Sequence, residues 1–257
     1  MAFFVNQDLI IPPSTPTLRT MNPPGFNPRR YPELLPLLLD GTDSAEKRSL
    51  ADDVHDRLLL KIIRGELPGG TELKSTQLAR ELNVSRTPVI QALGRLTTSG
   101  VVRQALNLRA TVREGAENWL VDIHRMRRLL EPEATRSCVG RVPTAVLEDL
   151  AMLQEDARPA RGKEWQTHAR WLDHALHLVI AEYCGNLSIR ETLRRCWSYK
   201  RLSYEAGNDS EAHLKRGYLQ HAAILDALAA GSEDAAATLM AEHLDASAPS
   251  RPGQRIV

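Results

Sequence analysis

Four side chains in the second half of the chain have the types and spacing of a metal site. Asp173 and His177 lie four residues apart in THARWLDHALHLVIAEY, so a helix places them one turn apart on one face. His221 and His243 follow at helical spacing beside apolar residues in two later segments. Buried imidazoles and carboxylates cost free energy unless they are paired. This donor set suits Zn²⁺, Ni²⁺, Fe²⁺ or Mn²⁺ and leaves positions open for water or a ligand.

Spacing alone leaves a second interpretation of these histidines. A histidine on an apolar face is more often a hydrogen-bonded core residue than a metal ligand. The other histidines are expected to be structural or exposed: His55, His124, His168, His174 and His213.

Arg127 occupies a position where the pattern expects a core residue. It belongs to a stripe with steps of three and four whose other members are apolar: Leu120, Ile123, Leu130 and Ala134. A buried guanidinium needs an anion. Either a carboxylate effector bridges Arg127 and the metal, or Arg127 forms an internal ion pair with a carboxylate such as Asp173 or Glu131.

The elements that must position these residues are helices. Residues 118–248 contain few prolines and no strand-like alternation, which predicts an all-α helical bundle, and the candidate metal ligands inside it indicate an effector domain. The preceding segment, 47–114, has the pattern of three short helices followed by a β-hairpin, which is the order of a winged helix-turn-helix. Ser49 with Asp52 predicts the start of the first helix, and Gly65 predicts its end. The predicted fold class is therefore mostly α.

The amino-terminal module carries a positive charge that suits DNA. Residues 47–114 contain twelve Lys or Arg against seven Asp or Glu, a net charge of +5, whereas the whole chain carries +1. A recognition helix presents its first residues to base edges, while neighbouring residues hold phosphates. The expected DNA contacts lie on the second helix, the third helix and the hairpin: Lys74, Thr76, Arg86, Thr87, Pro88, Arg95 and Arg109. For any single arginine, an ordinary solvated face is the alternative.

Two parts of the sequence resemble a known family. GELPGGTEL, LARELNVSRTPV and QALGRL resemble the winged helix of the GntR family of regulators. MRRLLEPEATRSC, LDHALHLVIAEYCGN and QHAAILDALAAGSEDAAATLMAEHL resemble the C-terminal FCD domain of its FadR branch. The resemblance implies a metal bound by an Asp-x-x-x-His pair and two later histidines, and the matching positions are Asp173, His177, His221 and His243. It also implies that Arg127 faces the ligand cavity and that the effector is a small carboxylate.

Three features of the winged helix depart from the family pattern. Ile90 stands where the family usually has an arginine that often touches DNA. At the wing tip, Leu108-Arg109 replaces the usual Arg-Gly, and Gly94 replaces a commonly charged position. The departures indicate either a divergent operator or weaker binding.

The two ends of the chain are expected to be tails. Residues 1–46 hold eight of the fifteen prolines and are predicted to be disordered, and 249–257 form a second tail. The start lacks a signal-peptide pattern, and translation could begin at Met1 or at Met21. No apolar run approaches the ~20 residues that span a bilayer, and three dispersed cysteines fit a reducing cytoplasm.

The function predicted from these observations is that of a cytoplasmic, ligand-responsive transcription regulator. It would bind a partly palindromic DNA operator as a homodimer, and repression is the more usual behaviour of the family it resembles. No HExxH helix, nucleophile elbow or Gly-rich phosphate loop is present, so the chain is expected not to be an enzyme. The alternatives are a metal-dependent enzyme that uses the Asp/His site and a DNA-binding protein that senses nothing.

Overall fold

The computed structural model describes residues 28–34, 49–104, 109–159, 162, 164–205 and 210–248. This part of the chain contains three short strands: β1 (Glu72–Leu73), β2 (Val102–Arg103) and β3 (Ala110–Val112). It also contains nine α-helices: α1 (Leu50–Ile63), α2 (Ser75–Glu81), α3 (Arg86–Thr98), α4 (Trp119–Cys138), α5 (Thr144–Asp156), α6 (Trp165–Tyr183), α7 (Leu187–Glu205), α8 (Glu211–Ala229) and α9 (Glu233–Ala246). The predicted fold class, a winged helix-turn-helix followed by a helical bundle, is confirmed.

Local signals in the sequence set the ends of the first two helices. The Ser49 hydroxyl accepts a hydrogen bond from the Asp52 backbone N–H (3.3 Å), and the Asp52 carboxylate accepts one from the Ser49 N–H (2.9 Å). This reciprocal cap begins α1. Gly65, at a φ of +74°, follows α1 in the left-handed region that glycine adopts without steric cost. Asn83, at a φ of +52°, reverses the chain after α2 in the same way.

A three-stranded antiparallel sheet closes one side of the winged helix. The strand order is β1-β3-β2, and Val102 lies opposite Val112 in the hairpin. The sequence predicted the β2–β3 hairpin but not β1, because a strand of two residues has no measurable alternation. Residues 105–108, which include the Leu108 half of the predicted wing tip, lie outside the described residues.

The helical bundle is built around α6. This helix contacts α4, α5, α7 and α8, while α9 packs on α4 and α8. A helix with neighbours on several sides buries most of its surface, so Asp173 and His177 lie inside the domain beside the apolar Leu172 and Leu176. None of the nine described helices combines the length and the apolar surface that a bilayer crossing needs.

Helix α7 of the bundle also contacts the winged helix. The Tyr199 ring lies 5.9 Å from the Trp119 ring in an edge-on arrangement and 6.4 Å from the ring of His55 on α1. Trp119, Leu120 and Tyr199 all pack against the hydrophobic core of the winged helix. Aromatic rings packed edge-on make a contact with defined geometry. The described residues of the two domains therefore meet at Tyr199 of α7 and at Trp119 and Leu120 of α4.

Residues 28–34 dock on the helical bundle, which corrects the prediction of a disordered tail for this part of 1–46. Tyr31 and Leu34 are fully buried in the hydrophobic core of the bundle. The proline content excludes a long helix but not a single 3₁₀ turn, which is what Pro28–Arg30 forms. Tyr31 and Leu34, which follow that turn, pack against the helical bundle, a contact that the sequence pattern does not indicate.

Two carboxylates of α5 hold this amino-terminal segment. The Tyr31 hydroxyl donates to Asp156 Oδ2 at 2.7 Å, and the Glu33 backbone N–H donates to Asp149 Oδ2 at 2.8 Å. The partners are separated by more than one hundred residues in the chain. The segment is therefore attached by specific polar bonds as well as by apolar burial.

Candidate metal centre and DNA interface

The four residues proposed from the sequence as metal ligands meet inside the bundle. Asp173 and His177 project from α6, His221 from α8 and His243 from α9, and all four are buried. One potential ligand atom from each lies within 4.8 Å of every other. Helical periodicity accounts for the pair on α6, because residues four apart face the same way. The other two residues, His221 and His243, reach the cluster because α8 and α9 pack against neighbouring helices.

Imidazole nitrogens and a carboxylate oxygen crowd together at this point. His221 Nε2 lies 3.2 Å from Asp173 Oδ1 and 3.3 Å from His243 Nε2, and His177 Nε2 lies 3.6 Å from Asp173 Oδ1. His177 Nε2 and His221 Nδ1 are buried without a hydrogen-bond partner among the described residues. A buried polar atom without a partner costs about 1–3 kcal/mol. A divalent cation would give His177 Nε2 a partner, so the donor set fits a metal ion.

Hydrogen bonds behind two of the imidazoles orient them toward the cluster. His177 Nδ1 donates to Glu131 Oε2 at 2.7 Å, and His243 Nδ1 donates to the Gln220 side-chain oxygen at 3.1 Å. A neutral imidazole with its proton on Nδ1 keeps a lone pair on Nε2, which is the atom that can bind a metal. Burial lowers the pKa of His177, which favours this neutral form. Outer partners of this kind are what metal-binding histidines need.

Glu131 of α4 is the common partner of the side chains beside the cluster. Its Oε1 accepts hydrogen bonds from Arg127 Nε (2.6 Å) and Trp197 Nε1 (2.9 Å), and its Oε2 accepts from His177. Burial raises the pKa of this carboxyl, but the charge of Arg127 and the bond from His177 outweigh burial and hold the pKa well below its usual range. Glu131 is therefore ionised at neutral pH.

Sequence reasoning named Glu131 only as a possible partner of Arg127 and did not name Gln220. The signal for Glu131 was its position four residues after Arg127 on a helix, where side chains of opposite charge meet. Gln220 gives no such signal, because its bond to His243 joins two helices.

Arg127 forms the internal ion pair that the sequence left open as the alternative to effector binding. Glu131 binds its guanidinium at Nε and also at Nη2, which lies 3.2 Å from Oε2. The guanidinium carbon lies 4.1 Å from the centre of the Trp197 ring, and that ring lies 4.4 Å from the His177 imidazole. Arg127 thus stands beside the cluster with its charge balanced by Glu131. Contact with an effector would require the guanidinium to share or exchange this partner.

Most of the residues proposed to contact DNA are on the outer surface of the winged helix. The exposed ones are Lys74, Thr76, Arg86, Thr87, Arg95 and Arg109. Arg86 and Thr87 stand in the first turn of α3, where a recognition helix meets base edges. Arg109 donates to Glu72 at 2.6 Å, a surface ion pair that contributes little stability and that a phosphate could replace.

Packing removes the side chain of one proposed DNA contact from the surface and gives a second, which stays exposed, a partner within the protein. The Pro88 side chain is buried in the winged helix, because the first turn of α3 directs this position inward, so a side-chain contact with DNA is not available to it. Arg95 pairs with Asp52 of α1 on the flank of α3. The two partners are 43 residues apart, so no local pattern could indicate the pairing.

Comparison with known protein families accounts for both parts of the chain. Residues 50–107 match the bacterial regulatory proteins of the gntR family, and residues 122–246 match the FCD domain. The chain belongs to the GntR family. This GntR regulator is therefore a DNA-binding transcriptional regulator with an FCD effector-binding domain, and it is not the metal-dependent enzyme considered as an alternative.

The GntR regulator is similar to known transcription regulators along most of its length. It is 28% identical over 189 residues to the Nta operon transcriptional regulator of Aminobacter aminovorans, covering 68% of this chain and 81% of that protein. It is 26% identical over 214 residues to the probable D-xylose utilization operon transcriptional repressor of Paenarthrobacter nicotinovorans, covering 80% and 92%. Among solved structures, E. coli McbR/YncC matches with a TM-score of 0.54 and 25% identity, covering 78% of this chain and 95% of that one.

Proposed function

We propose that this GntR regulator is a ligand-responsive repressor that binds a small carboxylate at a divalent metal ion in its FCD domain. The observation that carries the proposal is the group of four buried ligand atoms within 4.8 Å, contributed by Asp173, His177, His221 and His243. When bound there, the ion would supply a Lewis acid that anchors a ligand oxygen. The repressor function printed in the name of the Paenarthrobacter relative supports the direction of regulation.

The balance of buried charge favours an anionic ligand. Glu131 and Asp173 each bring one negative charge to the region, and Arg127 brings one positive charge. Metal-bound imidazoles are neutral, so a divalent ion would leave one positive charge in excess. Unbalanced charge in the interior is costly. A single carboxylate would remove the excess, which makes a monocarboxylate a better fit than a cation or a neutral molecule.

Helix α7 offers a route from the ligand to the winged helix. A carboxylate at the cluster would compete with Glu131 for the Arg127 guanidinium, which rests against the Trp197 ring. Tyr199 follows Trp197 by two residues on α7 and contacts His55 of the winged helix. A ligand that favours one position of α7 would therefore favour one placement of α1 and α3. Such a difference in stability between two states is the coupling free energy that regulation requires.

We further propose that the regulator acts as a homodimer. A dimer with two-fold symmetry presents two copies of α3 to two half-sites of a partly palindromic operator, about 34–36 Å apart. The positive charge of 47–114 supports contact with the phosphates of both half-sites.

Metal content tests the metal site. Plasma mass spectrometry compares the wild type with His177→Ala/His221→Ala and with a control, His168→Ala/His213→Ala, which removes one histidine outside the cluster from each of the same two helices. We expect near-stoichiometric metal in the wild type and the control, and its loss in the cluster variant. A wild type that holds no metal after incubation with Zn²⁺, Ni²⁺ and Mn²⁺ would overturn the metal site.

Thermal unfolding tests the ligand class. Metal-loaded protein is heated with small monocarboxylates and with the corresponding neutral amides. A ligand at about 100 times its Kd stabilises the folded state by about 2.7 kcal/mol, so a true effector should raise the Tm measurably. Equal shifts with acids and amides, or the same shift in His177→Ala/His221→Ala, would contradict carboxylate binding at the metal.

A further inference from the structure

The outward side of α3, called here the recognition face, consists of Thr87, Ile90, Gln91 and Gly94. All four residues are exposed, and they recur at intervals of three and four, opposite the side that packs into the core. The first half of a recognition helix is the part that enters the major groove. None of the four is charged, so the middle of this surface must distinguish bases by methyl groups and an amide.

Ile90 is an apolar side chain at the centre of the recognition face. It leaves 53% of its surface exposed. A single exposed apolar residue is common on proteins and indicates nothing by itself. The position of Ile90 gives it meaning, because a β-branched side chain in a helix is held in one χ1 rotamer. Ile90 therefore presents methyl groups at a fixed place where the helix faces the bases.

The residues around Ile90 leave its apolar surface accessible to DNA. One turn further along α3, a Cβ added at Gly94 would meet no described atom within 4 Å. Arg95 is drawn toward Asp52 on α1. Gln91, beside Ile90, presents an exposed amide. A duplex approaching this part of α3 would thus meet Ile90 and Gln91 before any charged group of the same turn.

The chemistry of the major groove identifies a partner for these two side chains. The C5-methyl of thymine is the apolar group that base pairs display there, and adenine displays an acceptor and a donor that match a glutamine amide. We propose that Ile90 reads the C5-methyl group of a thymine in each operator half-site, with Gln91 favouring an adenine beside it. The proposal rests on DNA binding by the GntR family and is independent of the metal site.

Deoxyuridine substitution tests the proposal, because it removes the methyl group of one thymine and changes nothing else. Full-length wild type selects duplexes from a randomised library at one salt concentration, since affinity depends steeply on salt. Each thymine of the selected duplex is then replaced in turn by deoxyuridine, and Kd is measured for the wild type, Ile90→Ala and Leu50→Ala. Leu50 is the matched control, because it is an apolar residue of similar exposure, 50%, on α1 rather than on the recognition face.

We expect one thymine in each half-site whose replacement raises Kd about fourfold, the effect of burying one methyl-sized group. The loss should occur with the wild type and Leu50→Ala and be absent with Ile90→Ala. If no single replacement weakens wild-type binding, or if Ile90→Ala shows the same loss, the proposal is overturned while DNA binding stands. If the library yields no enriched duplex, sequence-specific DNA binding fails and the proposal fails with it.

Discussion

Glu131→Gln replaces the buried carboxylate beside the metal cluster with an amide of nearly the same shape. In the wild type, Oε1 accepts from Arg127 and Trp197, and Oε2 accepts from His177 and Arg127. Glutamine has one oxygen and one NH₂ group, so in either orientation the NH₂ group faces an N–H donor. If it faces His177, the imidazole proton must move to Nε2, the atom that faces the cluster. The substitution therefore affects both stability and metal binding.

Two magnitudes follow from this geometry. Arg127 is 3% exposed and would lose its counter-ion, and breaking a buried ion pair from one side costs about 3–5 kcal/mol. That is a large part of the ~5–15 kcal/mol that stabilises a typical domain. Loss of an outer hydrogen-bond partner weakens metal affinity roughly 10–100-fold. Arg127→Met/Glu131→Gln also removes the stranded charge, so the double variant should regain most of the stability but not the metal affinity.

Urea unfolding followed by tryptophan fluorescence measures the stability of the bundle. All four tryptophans of the chain lie on its helices α4, α6 and α7: Trp119, Trp165, Trp171 and Trp197. Zinc affinity is measured at pH 7 by competition with a chromophoric chelator. We expect the wild type to be the most stable, the double variant to follow and Glu131→Gln to be the least stable.

Two results would refute this reasoning. A Glu131→Gln protein within about 1 kcal/mol of the wild type, or a double variant less stable than the single one, would show that Glu131 is not the counter-ion on which the fold of the bundle depends. Zinc affinity unchanged in both variants would show that the bond to His177 Nδ1 does not orient a metal ligand.

Three further predictions concern the pH dependence of the Glu131 contacts, the docking of Tyr31 and the cap of α1. Burial raises the pKa of Glu131, but the charge of Arg127 outweighs burial and keeps the folded-state pKa below the usual 4.5. The ionised carboxylate therefore stabilises the bundle above pH 4.5, and this stabilisation is lost progressively as the pH falls below that value. Urea midpoints between pH 7 and pH 3 should drop more steeply for the wild type than for Arg127→Met/Glu131→Gln, and parallel curves would contradict this. Tyr31→Phe should destabilise the bundle by about 1–2 kcal/mol, because it removes the hydrogen bond to Asp156. Tyr31→Ala should destabilise it by about 3–5 kcal/mol, because it also removes the buried ring. Equal free energies of unfolding for the two variants would argue against docking of the segment. Ser49→Ala should lower the stability of α1 by about 1 kcal/mol through the lost bond from the Asp52 backbone N–H, measured by amide hydrogen exchange, and unchanged protection would mean that the cap is dispensable.

The local pattern of the sequence was sufficient to predict the three helices of the winged helix with several of their ends, and the helical character of 118–248. Ser49 and Asp52 are three residues apart, and their reciprocal cap needs no other part of the chain. Asp173 and His177 share a face because of the 3.6-residue period of the helix alone. Helical spacing also proposed His221 and His243, the resemblance to the FCD domain supported them, and the fold places them beside that pair.

The partners of charged side chains were predicted less well. The sequence indicated that Arg127 is buried but left its anion open between an effector and an internal carboxylate. The pairing of Arg95 with Asp52 and the inward position of Pro88 were not expected. Both features depend on how α3 is rotated about its axis against α1. Helical periodicity predicts only which broad face of α3 is buried.

What the sequence by itself determined is the three helices and the hairpin of the amino-terminal module, the helical character of 118–248 and the inward side of several helices, because these depend on neighbours within about one helical turn. Only the tertiary structure decided that Glu131 joins Arg127, His177 and Trp197, and that Tyr31 inserts into a core built by residues more than one hundred positions away. Each of these contacts joins distant segments, and many other residues of the chain have the same chemistry and could form such a contact. The packing of whole helices selects among them, since a close-packed interior admits few alternative arrangements.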